Sequence, residues 1–264
     1  NNRCKRKDSK SVTIQDRFSI LMKGEKMRRI LITNDDGIDA KGLERLAEAA
    51  KAFGEVWVIA PARQRSAASH SITLRKPVEI KEYDFPVKDV KAFTCSGTPA
   101  DCVRVGGLSV MSEKPDVVLS GINYGYNVAS DIQYSATCGA AFEASFQGFI
   151  AISLSEDANE CHDITDAYLL DLLKEYIDVK LERNQILNIN FPSGNVEDCK
   201  GIRRNVGTSE DSFFHDRYKL LEEKEDGTRV YMVDGIYNED AEPDTDFRAV
   251  VEKYISVGVV NNIR

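Results

Sequence analysis

Arg28-Arg29-Ile30-Leu31-Ile32-Thr33-Asn34-Asp35-Asp36-Gly37 is the stretch on which the fold turns. Ile30, Leu31 and Ile32 form a short apolar run with two β-branched members, which predicts a buried strand of a parallel sheet. The run stops at Asn34-Asp35-Asp36-Gly37, and a helical pattern begins at once. Leu43, Leu46, Ala47, Ala50 and Phe53 fall at helical spacing, with Gly54 behind them as a stop. Val56–Ala60, which holds the only tryptophan, Trp57, predicts a second buried strand. Strand, helix and strand open an α/β fold. In open sheets of this kind ligands sit outside the carboxyl ends of strands, and Asp35 and Asp36 stand at that address. The pair has two readings: ligands for a metal ion, or an Asx turn with a helix cap.

The same alternation continues outward. Pro61–His70 follows the second strand as a polar loop with Arg63, Arg65, Ser66, Ser69 and His70, a second wall beside the first. Leu74–Tyr83 alternates apolar and charged residues and predicts a half-exposed strand. Ala92–Cys95 and Val117–Leu119 predict further short strands. Between them Gly97-Thr98-Pro99-Ala100-Asp101 is a helix start, with Thr98 as N-cap and Pro99 at the first position. Ser120–Gly139 is glycine-punctuated, polar and long, and it leads into a helix rich in small residues. Free amides at such a helix start bind phosphate oxygens. The loop is neither a Walker loop nor the dinucleotide glycine pattern. Phe149–Leu154 and Ile186–Phe191 predict two more strands, and Ile164–Ile177 an amphipathic helix. Beyond residue 205 the character changes. Lys219–Val233 reads as a hairpin around Asp226-Gly227, and Asn238–Asp246 is acidic and turn-like.

The domain expectation is therefore a non-native leader or a disordered tail at 1–26, a catalytic core at 27–205 and a C-terminal arm, expected to serve oligomerisation, at 206–264. Residues 1–26 are polar and basic without a signal-peptide core, and Met27 stands directly before the first strand, so translation is expected to begin there. The 264 residues carry a net charge of −8, which argues against general affinity for nucleic acid backbone. No apolar run is long enough to span a membrane. The six cysteines are scattered, with no Cys-x-x-Cys pair, which points away from zinc and disulfides and toward a reducing cytoplasm. His162 and His215 are expected at the surface.

Asp35, Asp36, Ser66 and Asn123 all stand at strand ends, all offer oxygen, and only two carry charge. Such a set suits Mg²⁺, Mn²⁺ or Ca²⁺ better than zinc. A metal beside aimed amides is a kit for phosphoryl transfer. An aspartyl-nucleophile mechanism usually spaces its acids Asp-x-Asp, whereas these are contiguous. Tyr124 and Tyr126 either stack on any base or shield the loop from water.

Taken in order, Asn34-Asp35-Asp36-Gly37, the Ala60-Pro61 to Arg65-Ser66 loop, Gly97-Thr98-Pro99-Ala100-Asp101-Cys102, Ser120-Gly121-Ile122-Asn123 and Tyr134-Ser135-x-Thr137 resemble the SurE (survival protein E) family from about Met27 onward. The resemblance implies a Rossmann-like three-layer core with a mostly parallel sheet and a C-terminal hairpin arm. It implies a phosphatase acting on nucleoside 5′- and 3′-monophosphates, with one divalent cation per subunit, Mg²⁺ or Mn²⁺. It places the metal ligands on Asp35, Asp36, Ser66 and Asn123 and phosphate binding on Asn127, Ser135 and Thr137, and it implies homodimers or homotetramers. Alternatives are an exopolyphosphatase or general phosphatase, and a catalytically weak nucleotide- or metal-binding protein. Ala136 stands where the family usually has Gly, Ser130-Asp131 where Gly-Asp is common, and Ile255-Ser256-Val257-Gly258 in place of a Ser-Ile-Thr-Pro ending. The methyl of Ala136 would crowd the loop if that backbone had positive φ.

Overall fold

The computed structural model describes residues 27–159, 161–238 and 240–263; the expected leader, 1–26, lies outside them. In chain order the elements are β1 (Arg28–Thr33), α1 (Lys41–Ala50), β2 (Gly54–Pro61), β3 (Ile80–Glu82), β4 (Lys91–Cys95), α2 (Pro99–Val105), β5 (Val117–Tyr124), α3 (Asp131–Tyr134), α4 (Ala136–Phe146), β6 (Ile150–Glu156), α5 (Asp163–Tyr176) and β7 (Gln185–Phe191). The C-terminal part adds β8 (Ile202–Arg204), β9 (Phe214–His215), β10 (Tyr218–Glu223), β11 (Arg229–Val233), β12 (Ile236–Tyr237), α6 (Asp246–Val251) and β13 (Ile255–Asn261).

β1 sits at the centre because it is apolar on both faces. Ile30 and Ile32 point into the layer formed with α1 and α5, and Leu31 points the other way, into the layer with α2 and α4. The two layers sandwich one nine-stranded sheet of order β3-β4-β2-β1-β5-β6-β7-β13-β8. From β4 to β7 its strands are parallel. Leu31 lies opposite both Trp57 of β2 and Val118 of β5. The chain leaves β1 toward β2 and β4, then returns to its other side for β5, β6 and β7. The strand order thus reverses between β1 and β5, and a crevice opens outside their carboxyl ends. The α/β, mostly parallel, three-layer expectation is met, and β10 and β11 form the expected antiparallel hairpin.

Two sequence expectations change. Of Leu74–Tyr83 only Ile80–Glu82 is a strand, and Leu74 is 80% exposed. The preceding chain is drawn toward α2: Thr73 donates its N–H and hydroxyl to Asp101, and the Thr98 hydroxyl donates to the Ser71 carbonyl. These bonds replace a ladder. Second, the chain after residue 205 does not stay an arm. β13 re-enters the sheet antiparallel to β7, with Val257 opposite Ile189, and β8 joins only through β13. Its pairing with β7 is long-range, so neither spacing nor turn residues announced it. Phe213, Ala241, Phe247 and Val250 pack with Val128 and Ala129 in a small separate cluster, which places this segment against the glycine-rich loop.

Candidate active site

Asn34 makes the turn. Its side chain donates to the Gly37 carbonyl at 2.9 Å and accepts the Gly37 N–H at 3.2 Å, with Gly37 at φ +105°. Helix α1 has Ala40 at its N-cap and no side-chain cap. Neither Asp35 nor Asp36 is therefore spent on capping, and both stay available at the end of β1. Asp35 is 3% exposed, and burial, then the charge of Asp36, pushes its carboxyl up to about 6. The hydroxyl of Thr137, 2.8 Å away, offsets part of that. Burial also raises Asp36, against hydrogen bonds from the Tyr124 N–H at 3.1 Å and the Gln64 amide at 3.4 Å.

The other expected donors meet this pair. Gln64 donates to the Ser66 hydroxyl at 3.0 Å and so links Ser66 to Asp36. Asn123 donates its amide to the Gly125 carbonyl at 2.8 Å, which turns its oxygen toward Thr137, 3.4 Å away. Thr137 thereby touches both Asp35 and Asn123. The Arg65 N–H donates to the Asp35 carbonyl at 2.6 Å and holds the second loop on the first. Among the described residues there is no cluster of three or more His, Cys, Asp or Glu suited to a metal. The set brought together has two carboxylates and neutral oxygens, which fits a hard, oxygen-preferring divalent cation and not zinc.

The three residues expected at the phosphate divide. Ser135 caps α4 by accepting the Cys138 N–H at 3.0 Å, so the first turn of this helix opens beside the carboxylates. Thr137, fully buried, directs hydroxyl and backbone N–H at Asp35. Asn127 is committed to the scaffold. Its amide donates to Ser155 at 2.7 Å, Asn190 grips its N–H and carbonyl, and Asn188 donates to the same carbonyl at 2.8 Å. Ala136 is the first residue of α4 and is absent from the positive-φ positions. The crowding expected of its methyl therefore does not arise.

A cleft of about 530 Å³ is lined by Asp35, Ser66, Asn123, Asn127 and Ser135. Tyr124, Tyr126, Tyr134, Phe213 and Phe214 also line it. Tyr126 stands edge-on to Phe213 with centroids 5.9 Å apart, and its hydroxyl accepts the Ser193 N–H. Tyr124 is half exposed. Asp131, at the rim, is pushed up to about 6 by burial and by Asp216 of the arm. A larger hollow of about 660 Å³ lies among residues 145–150 and 178–183, but Asp35, Asp36, Ser66 and Asn123 are not there. Sequence reasoning missed Gln64, Asn188, Asn190 and the two arm phenylalanines. It also missed Glu143, which receives His70. The one available signal for that contact was Gly139, a glycine inside a helical run.

The model of the family described as Survival protein SurE matches residues 30–212. A 5′-nucleotidase SurE of Clostridium botulinum (strain 657) is 38% identical over 232 residues, 86% of this chain and 90% of that protein. A 5′/3′-nucleotidase SurE of Erwinia tasmaniensis is 39% identical over 232 residues, 87% and 88% of the two chains. The crystal structure of the SurE protein from Aquifex aeolicus superposes with a TM-score of 0.74 at 32% identity, covering 88% of this chain and 93% of that one.

Proposed function

The chain belongs to the SurE family, and on that premise we propose that its cleft hydrolyses nucleoside 5′- and 3′-monophosphates to nucleoside and phosphate. The observation that carries this is the convergence of Asp35, Asp36, Ser66 and Asn123 at the carboxyl ends of β1, β2 and β5, facing the first turn of α4. These four residues would hold one divalent cation, Mg²⁺ or Mn²⁺. When bound, such an ion supplies Lewis-acid polarisation of phosphoryl oxygens and acidifies a water.

The chain's own residues do the rest. Asp35 and Asp36 bring the formal negative charge. Thr137 orients Asp35, and Gln64 orients Asp36 and Ser66. Ser135 and the opening amides of α4 stand where phosphate oxygens would lie. Asn127, tied to Ser155, Asn188 and Asn190, keeps the glycine-rich loop in place and lines the cleft. Tyr124 and Phe214, both in the cleft lining and partly exposed, offer flat apolar faces to a base. With Ala136 in ordinary helical geometry, the reading as a catalytically weak binding protein loses its motive. Turnover of a nucleotide panel with Mn²⁺ or Mg²⁺, against the same panel in chelator, tests the proposal. Phosphate release that is indifferent to chelator, or thermal stabilisation by nucleotides without release, refutes it.

Assembly and location complete the reading. The hairpin β10–β11 leaves Tyr218, Leu221, Tyr231, Met232 and Val233 exposed, and a two-stranded ribbon of that kind is marginal alone. We propose that it pairs with another subunit in a homodimer or homotetramer. A monomer by light scattering at micromolar concentration refutes this. No helix among the described residues is long and apolar enough to cross a membrane. The free thiols Cys95, Cys102, Cys138, Cys161 and Cys199 support a reducing, cytoplasmic setting.

A further inference from the structure

The loop that carries Ser66 holds two non-glycine residues in the left-handed region, Ala67 at φ 57° and Ser69 at φ 51°. Such conformations persist only where the surroundings impose them. Here the surroundings are the C-terminal end of α3 and the middle of α4. The Ser69 N–H donates to the Tyr134 carbonyl at 3.0 Å, and its hydroxyl to the Gln133 carbonyl at 2.9 Å. One turn along α4, Gly139 lets the loop backbone come close. A Cβ there would stand 2.4 Å from the Ser69 carbonyl oxygen and 2.9 Å from His70 Cα.

The loop ends on His70. Its Nε2 lies 2.9 Å from Glu143 Oε2, and its ring tilts onto Phe146 with centroids 5.3 Å apart. Glu143 is buried, and its second oxygen accepts from Arg104 and Gln147 at 2.9 and 2.7 Å. The anchor is therefore itself fixed by two partners besides His70. Its helix is the one capped by Ser135 and opened by Thr137, so α4 ties the His70 end of the Ser66 loop to the phosphate-facing turn. His70 does not line the cleft, and its ring is taken up by Glu143 and Phe146.

We propose that His70, through its hydrogen bond to Glu143, is a positioning residue that holds Ser66 in register with Asp35, Asp36 and Asn123. This rests on the reading of those four residues as the metal site. Partners that orient metal ligands typically cost 10–100-fold in metal affinity when removed. His70 acts one step further out, so a loss of about tenfold is expected.

The test is Mn²⁺ binding to the nucleotide-free protein by titration calorimetry, with turnover as a second readout. His70→Phe keeps the ring against Phe146 and removes the hydrogen bond. It is expected to melt near the wild-type temperature, to bind Mn²⁺ about tenfold more weakly, and to regain most of its turnover at high Mn²⁺. His70→Gln, which still reaches Glu143, is expected to restore wild-type Mn²⁺ affinity. A folded His70→Phe protein with wild-type Mn²⁺ affinity overturns the proposal, as does equal weakening in His70→Gln. If His70→Phe does not fold, the His70→Gln protein and Glu143→Leu decide by the same titration: wild-type affinity in a folded Glu143→Leu overturns it. A wild-type protein that binds no Mn²⁺ would instead remove the underlying reading of the site.

Discussion

Gly139→Ala is the sharpest perturbation of the cleft that leaves every polar group in place. The new Cβ would meet the Ser69 carbonyl oxygen at 2.4 Å, its carbon at 2.8 Å and His70 Cα at 2.9 Å. All three are backbone atoms, so no side chain can swing aside. Ordinary contact starts near 3.4 Å, and the loop must retreat by about 1 Å. Two stability effects oppose each other. Alanine improves a helix interior by about 1 kcal/mol over glycine, while overpacking costs ~1–3 kcal/mol. The net loss is small, between about 0 and 2 kcal/mol, and the protein stays folded. Activity has no such compensation, because the loop that retreats carries Ser66. A misplacement of ~1 Å can cost 10²-fold in rate. Urea melts should therefore show a modest change, while turnover of a nucleoside monophosphate falls by up to ~100-fold and the Mn²⁺ needed for half-activation rises. A Gly139→Ala enzyme with wild-type turnover and wild-type metal requirement would refute the claim that α4 sets the loop.

Further outcomes are expected. Asp35→Asn and Asp36→Asn should each lose more than the 10–100-fold typical of residues that merely support ligands. In chelator, Asp35→Asn should melt at or above wild type, because a buried carboxyl pushed up to about 6 no longer has to ionise; a lower melting temperature counts against this. Tyr126→Ala should lower turnover equally for nucleotides and a small aryl phosphate, because its hydroxyl and ring hold the loop against Ser193 and Phe213. Tyr124→Ala should raise KM for nucleotides alone, by the equivalent of ~1–3 kcal/mol; the reverse pattern would exchange their roles. Asp246, pushed by burial from 3.8 up to about 6, binds its proton more tightly folded than unfolded. Its contribution to stability is full below about pH 4 and is lost as pH rises through 6, a change of ~3 kcal/mol. Asp246→Asn should remove that share of the fall between pH 4 and 7, and parallel melting curves for the two proteins would contradict it.

What the sequence disclosed follows from how local each cause is. The Ile30–Ile32 run, the stop at Asn34–Gly37, the Thr98-Pro99 helix start and the Asp226-Gly227 hairpin each depend on neighbouring residues, and each stands where expected. Asp35 and Asp36 offered two readings, and only coordinates could show that Asn34 makes the turn and Ala40 occupies the N-cap. Asn127 was readable as a polar loop residue, but its grip by Asn188 and Asn190 spans some sixty positions. The Glu143–His70 bond spans 73. Leu74–Tyr83 had the strand pattern without the strand, because Asp101 competes for its approach. β13 was missed because a short apolar segment with a central glycine, Gly258, does not declare a partner.

The return of β13 has a consequence for how the molecule is made. Chains emerge at about 5–20 residues per second and fold from the N-terminus as they go. β7 ends at Phe191, and its outer neighbour is complete only at Asn261, about 70 residues later. For roughly 4–14 s of synthesis the edge of β7 that β13 will cover has no strand to pair with, although Ile189 and Phe191 belong to the finished core. Open apolar edges recruit other chains. β8 waits as well, since β13 is its link to the sheet. A chain stalled or clipped before Ile255 therefore leaves two strands unjoined and an adhesive edge facing outward.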